Sequence, residues 1–256
     1  MNAAKQNLIV STDPIIKKAM AYLNQNPILH IDMIEALRHS RADILFASEQ
    51  GVLLRHTARG RLLLSAVHDE AADMILKRAG TFDIIVARYP GCERVLEQSY
   101  GLTEKVPCIQ HAFMQPTAPE ISEHELKKQH IRFQTLDRTW LPFVRDNYSL
   151  GLDDDYLGER LDSQQIFGIF VSGQIAGFAG FHTEGSLGML EILPDWRRRG
   201  YACLLQSHLT RSRLCLGFVP FTQVKAGNQA SMALQKKCGY TPADMPVTWM
   251  FKPRDT

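Results

Sequence analysis

Between residues 187 and 205 the chain reads LGMLEILPDWRRRGYACLL, and these residue types suit the capture of an anion. An apolar run that reads as a strand, 187–193, stops at Pro194, passes through Arg197, Arg198 and Arg199, and reaches Gly200 at the mouth of a helix. A helix N-terminus presents amide N–H groups without intrahelical partners and carries partial positive charge. Gly200 has no Cβ to keep an anionic oxygen away from that backbone, and Ala202 is nearly as small. The three arginines add charge-assisted, partly bidentate donors. An isolated run of three arginines is more often a solvated basic turn. Its place between a strand and a glycine favours a binding loop.

The elements that must position this loop are read from hydrophobic period and turn residues. Helices are expected after Asp13-Pro14 and over 31–38, then strands over 43–49, 52–56 and 61–67, the last two forming a hairpin around 57–60. A helix over 70–77 closes at Gly80, 82–87 is a buried strand, 92–100 is a helix, and 106–114 is a strand. Two prolines at 116 and 119, followed by the charged run 120–128, mark the domain boundary, giving domains 1–118 and 119–256. Beyond it come a strand at 131–136, helices at 140–148 and 155–161, and a hairpin of 166–171 with 174–182 across Ser172-Gly173. The opening stretch then supplies a strand and a helix reaching about 214, with Tyr201, Leu205 and Leu209 on one face. A strand at 218–224, a helix at 228–237 with Met232 and Leu234 buried, and a last strand at 247–252 complete the order.

Arg197-x-x-Gly200-x-Ala202 resembles the pyrophosphate loop of the GNAT superfamily of N-acetyltransferases, Q/R-x-x-G-x-G/A. Two more pieces follow in the right order. Asn228-x-x-Ser231-x-x-Leu234, ending in Lys237-Cys238-Gly239-Tyr240, is similar to that family's helix-and-strand signature, and Gly173-Gln174-Ile175-Ala176-Gly177 is similar to the opening of its third strand. The resemblance covers about 131–252. It implies an α/β fold of α+β type: a mixed central sheet flanked by helices in a GNAT-like C-terminal domain, beside a smaller α/β N-terminal domain.

The resemblance also implies a site. Acetyl-CoA would serve as co-substrate, its pyrophosphate cradled by the backbone from Arg197 through Arg198, Arg199, Gly200, Tyr201 and Ala202 to Cys203. Backbone groups of Ile192 and Leu193 would hold the acyl arm, one amide polarising the thioester carbonyl, and Asn228 would touch pantetheine or simply cap its helix. An attacking amine must be neutral although its free pKa is near 10, so a carboxylate near the thioester is expected as base. Glu191 is the first candidate, with Glu184 and His182 as alternatives. If Leu190 and Ile192 face the core, strand alternation turns Glu191 away from them. One departure stands out: Gln235 occupies the place of the tyrosine that protonates the leaving thiolate in many members, and an amide cannot act as a general acid. Tyr240 belongs to the following strand.

The N-terminal half echoes the second half of the same fold, but His68-Asp69-Glu70 stands where a cofactor loop would be, with two carboxylates and no glycine. The expectation is a degenerate domain that binds no cofactor and helps shape the acceptor cleft, against an unrelated α/β domain.

Net charge of +2 argues against nucleic acid as a partner. Five scattered cysteines form no metal pattern and are expected to be reduced core thiols, with no metal bound. The N-terminus lacks the form of a signal peptide and no apolar run approaches a membrane span, so a cytoplasmic protein is expected. The leading reading is an N-acetyltransferase acting on a primary amine of a small-molecule or amino-acid-like acceptor. The alternative is a non-catalytic acyl-CoA-binding regulatory module. Asp153, Asp154 and Asp155 could attract a cationic amine, or be a solvated helix start.

Overall fold

A computed structural model describes residues 13–88 and 90–253. By contact the described residues form two units, one within 13–112, 223–228 and 241–253 and one of residues 113–222 and 229–240.

The first unit is a sheet with helices on both faces. Its strands are β1 (Ala42–Ser48), β2 (Gly51–His56), β3 (Leu62–Ala66), β4 (Ile84–Ala87) and β5 (Glu104–Ala112), joined by β10 (Phe221–Lys225), whose second half is counted here, and β11 (Thr241–Phe251). Their order is β1-β2-β3-β4-β11-β5-β10, with β3 and β4 parallel. Because both faces are covered, the centres of β2 and β3, residues 52–54 and 62–64, are continuous apolar runs rather than an alternating pattern. Val52, Leu54, Leu63 and Val86 pack beneath α1 (Pro14–Leu23) and α2 (Ile31–Arg38). Leu53, Leu62, Leu64 and Ile85 meet α3 (Asp69–Leu76) and α4 (Pro90–Tyr100) on the other side. The last strand, expected at 247–252 within the second domain, is longer. It is hydrogen-bonded to β4 on one side and β5 on the other, Trp249 opposing both Val86 and Val106.

The second unit carries a four-stranded antiparallel sheet of β6 (Ile131–Thr135), β7 (Ile166–Val171), β8 (Gln174–Phe181) and β9 (Leu187–Ile192), in that order. On one face Ile169, Ala176, Phe181 and Ile192 pack against Tyr201, Leu205 and Leu209 of α8 (Tyr201–Cys215). On the other, Ile166, Phe178 and Met189 meet Val144 and Tyr148 from α6 (Leu141–Asn147) and its end, and Tyr156, Leu157 and Leu161 of α7 (Asp154–Asp162). Burying such residues stabilises each face by roughly 1.5–3 kcal/mol per large side chain. The charged run after the prolines holds a short helix, α5 (Glu123–Lys128), with Ser122 Oγ accepting from the Glu125 amide. In α9 (Gln229–Lys237) the buried side chain is Gln235, whereas Met232 and Leu234 are half-buried. Its Oε1 accepts from Gln206 Nε2 at 2.5 Å, which compensates the amide for leaving water.

Candidate functional site: the end of β9 and the start of α8

Strand β9 is bulged. Phe178 opposes Glu191 and Gly180 opposes Gly188, so Ala179 faces both Met189 and Leu190. Met189 takes up the extra residue with a left-handed φ of 49°. The face of the strand changes there. Leu187 packs in the α8 cluster, Met189 in the α6–α7 cluster, and Leu190 and Ile192 back against α8. Glu191 therefore lies on the α6–α7 side, half-exposed, where its Oε1 accepts from the Ser149 amide at 3.2 Å and from Ser149 Oγ. Nearby Tyr148 is buried, and burial together with the negative charge of Glu191 raises its phenol pKa.

After β9 the chain makes a single 3-10 turn, Pro194–Trp196, and then turns sharply through Arg198 (φ 63°) and Gly200 (φ 88°) into α8. Gly200 is the N-cap residue, and among the described residues no side chain is hydrogen-bonded to this end of the helix as a cap. Among the described residues a Cβ on Gly200 would meet nothing within 4 Å, so the space beside the helix start is open. The first four amides of an α-helix have no acceptor inside it. Uncapped, open and preceded by arginines, those of residues 200–203 suit a phosphate group.

The arginines divide their work. Arg197 Nε donates to the Ile192 carbonyl at 2.8 Å, tying the turn back to the strand. Arg199 lies over the Trp196 ring at 5.5 Å, and the side chain of Arg198 is exposed. The amide of Leu193 is occupied, donating to the Ala176 carbonyl at 2.9 Å. Alternation along the strand directs the Ile192 amide the other way, to the edge where β9 has no neighbour in its four-stranded sheet. Tyr201 is buried in the core. Cys203 is half-buried, its sulfur 3.1 Å from that of Cys238.

Other expected residues are placed as follows. His182 Nδ1 is 2.7 Å from the Tyr156 hydroxyl, and its ring covers Gly188, where a Cβ would come within 2.5 Å of Nε2. Glu184 is buried and accepts from Ser186 Oγ at 2.6 Å. Asp153 caps α7, accepting from the Tyr156 amide, and Asp154 pairs with Arg145. Tyr240 is buried with its hydroxyl 2.7 Å from Thr210 Oγ1, and burial raises its pKa. Asn228 belongs by contact to the first unit, after Gly227 (φ 87°), its amide donating to the Lys225 carbonyl.

The corresponding turn of the first unit, between β3 and α3, is chemically opposite. His68 caps α3, its Nδ1 accepting from the Ala71 amide at 3.1 Å, and the first turn carries Asp69 and Glu70. Its amides are partly spent and its carboxylates repel anions.

Ser149 was invisible to sequence reasoning, because it lies 42 residues from Glu191. The Cys203–Cys238 pair, 35 residues apart, was equally so. Among the described residues no group of three or more His, Cys, Asp or Glu is arranged to hold a metal ion, and no helix is long and apolar enough to cross a membrane.

Residues 167–249, from β7 into β11, match the family model FR47-like protein. In overall fold the chain is similar to a Drosophila protein (TM-score 0.63, 17% identity, 94% of this chain and 96% of the other). It is also similar to a GNAT-family protein from Novosphingobium aromaticivorans (0.55, 16%, 90% and 98%) and a GCN5-related N-acetyltransferase-like protein from Streptococcus suis (0.53, 16%, 93% and 99%). A search of curated proteins returns no match. Residues 167–249 are thus similar to the FR47-like family, and the chain has a mixed α/β fold whose likeness to these GNAT-family structures runs over nearly its whole length.

Proposed function

We propose that the protein is an acyl-CoA-dependent N-acyltransferase that moves the acetyl group of acetyl-CoA to a primary amine of a small-molecule or amino-acid-like acceptor. The observation that carries this reading is the open, uncapped start of α8 at Gly200, directly behind β9. The amides of residues 200–203 bind the pyrophosphate, with Arg198 free to add charge from its exposed position. The co-substrate supplies a thioester already activated for attack. The Ile192 amide, directed to the open edge of β9, donates to the thioester carbonyl and stabilises charge as it develops there. Glu191 accepts the proton of the incoming ammonium, directly or through a water, and Ser149 fixes the carboxylate for that task.

One observation favours the second reading, a non-catalytic acyl-CoA-binding module. Gln235 is turned inward onto Gln206 and the Tyr240 hydroxyl is buried on Thr210, so neither is poised to protonate a leaving thiolate. Calorimetry with CoA, paired with an assay for free thiol released from acetyl-CoA over a panel of amines, separates the two. Binding with turnover supports the enzyme, and saturable binding without turnover supports the module. Gly200→Glu places bulk and negative charge at the phosphate position and should abolish CoA binding. Unchanged binding would overturn the loop assignment.

A further inference from the structure

We infer that Cys203 and Cys238 form a reversible disulfide, so that the first turn of α8 and the end of α9 carry a thiol pair open to oxidative modification. The two sulfurs lie 3.1 Å apart, and a disulfide bond is about 2.05 Å long, so oxidation asks them to close by only about 1 Å. Cys238 follows the last residue of α9 and precedes Gly239, whose φ of 80° ends the helix, so its backbone sits at a turn rather than in a helix interior.

The two thiols have unequal roles. Cys203 is the third residue of α8, where the unpaired amides and partial positive charge of the helix start favour a thiolate. Cys238 donates its S–H to Cys203, Lys237 adds positive charge, and Ser207 donates one turn on; together these lower the Cys203 pKa. The Cys238 thiol is raised, because its proton is held by Cys203 and it is more deeply buried. Cys203, half-buried, is the thiol a small oxidant reaches first.

With a hydroperoxide as oxidant the step balances. The Cys203 thiolate attacks the O–O bond, giving a sulfenic acid and releasing water or alcohol. The Cys238 sulfur then displaces the sulfenic oxygen as a second water, closing the S–S bond. Two thiols lose two electrons and the peroxide gains them. The other three cysteines lack this arrangement: Cys92 and Cys108 are buried, whereas Cys215 is exposed and is the natural site of cross-links between molecules.

The test uses the full-length protein with Cys215→Ser, treated with hydrogen peroxide, digested without reduction and analysed by mass. The expected result is a linked pair of tryptic peptides containing Cys203 and Cys238, loss of two free thiols, and recovery of both with dithiothreitol. Cys203→Ser should leave Cys238 unoxidised at the same dose, and Cys238→Ser should leave Cys203 as a sulfenic acid trapped by dimedone. Oxidation of Cys203 to sulfinic acid with Cys238 still free, or equal thiol loss in the Cys203→Ser protein, would overturn the inference. The cross-link is scored by mass, so the outcome is independent of whether the protein binds CoA.

Discussion

At the scale of the residue, two helix starts in one chain show how a few side chains decide what a backbone can bind. The amides opening α3 are partly spent on His68 and flanked by Asp69 and Glu70, whereas those opening α8 are uncapped behind Gly200. The φ of 88° at Gly200 is costly for any residue with a Cβ. Gly200→Ala, which adds no charge, should therefore lose on the order of 1–2 kcal/mol of stability, readable as a lower urea midpoint. Glu191→Gln removes the base while keeping the shape and the Ser149 contact. It should lower turnover roughly 10²-fold or more with CoA affinity unchanged, and an enzyme that keeps full activity would remove Glu191 from the chemistry. Ser149→Ala should cost less, chiefly in turnover, because the Ser149 amide still holds the carboxylate.

At the scale of the element, Leu190 and Ile192 pack toward α8 and Glu191 turns away from them, as their alternation implies, but the bulge in β9 that brings this about is not announced by the residue pattern. Strict alternation from Leu187 would turn Glu191 into the α8 core, and the extra residue at Met189 turns it toward α6 and α7 instead. No sequence signal marks this, since Met189 is neither glycine nor asparagine yet has a left-handed φ. A β-branched side chain tolerates that backbone worst, so Met189→Ile should destabilise the protein and lower turnover together, measured by urea unfolding and thiol release. Elsewhere the elements were legible. The runs in β2, β3 and β4 are apolar on both faces, and α2 was expected at the bounds it occupies. Helix α5 was missed although Ser122-x-x-Glu125 is a capping-box pattern, because a run of charges reads as a solvated linker. The inward turn of Gln235 was illegible for another reason: a polar side chain is expected outside unless its partner, Gln206, is known.

At the scale of the whole molecule, stability rests on polar groups as well as apolar cores. In the first unit His30 Nδ1 donates to the Leu23 carbonyl, and Nε2 accepts from Ser65 Oγ at 2.8 Å, which in turn meets the Tyr22 hydroxyl. Burial first, and Arg88 second, lower the His30 pKa to about 4. Below about pH 6.5 the unfolded chain takes up a proton that the folded one refuses, so stability falls as the pH drops from about 6.5 to about 4. The loss from this one group is ~3 kcal/mol at its full extent. Urea midpoints measured across that range should fall accordingly, and His30→Gln should flatten the dependence. Beside it Arg88 donates to Asp32, both fully buried, with Gln110 and Gln223 completing the network. Asp32→Ala leaves an uncompensated buried guanidinium and should cost about 3–5 kcal/mol, seen in thermal or chemical unfolding.

The place of β11 in the first unit's sheet has a consequence for how the protein is made. Trp249, Met250 and Phe251 lie between β4 and β5, strands translated long before them. A ribosome that has delivered everything through β5 has therefore released two strands whose shared neighbour does not yet exist. Until residues 241–251 emerge, the facing edges of β4 and β5 remain open to pairing with other chains. The polypeptide must hold that state for the remainder of translation. Residues 1–118 expressed alone should accordingly aggregate or lack dispersed amide NMR signals, and addition of a peptide spanning 241–253 should rescue solubility. A soluble, well-dispersed fragment without the peptide would show that the sheet can close late.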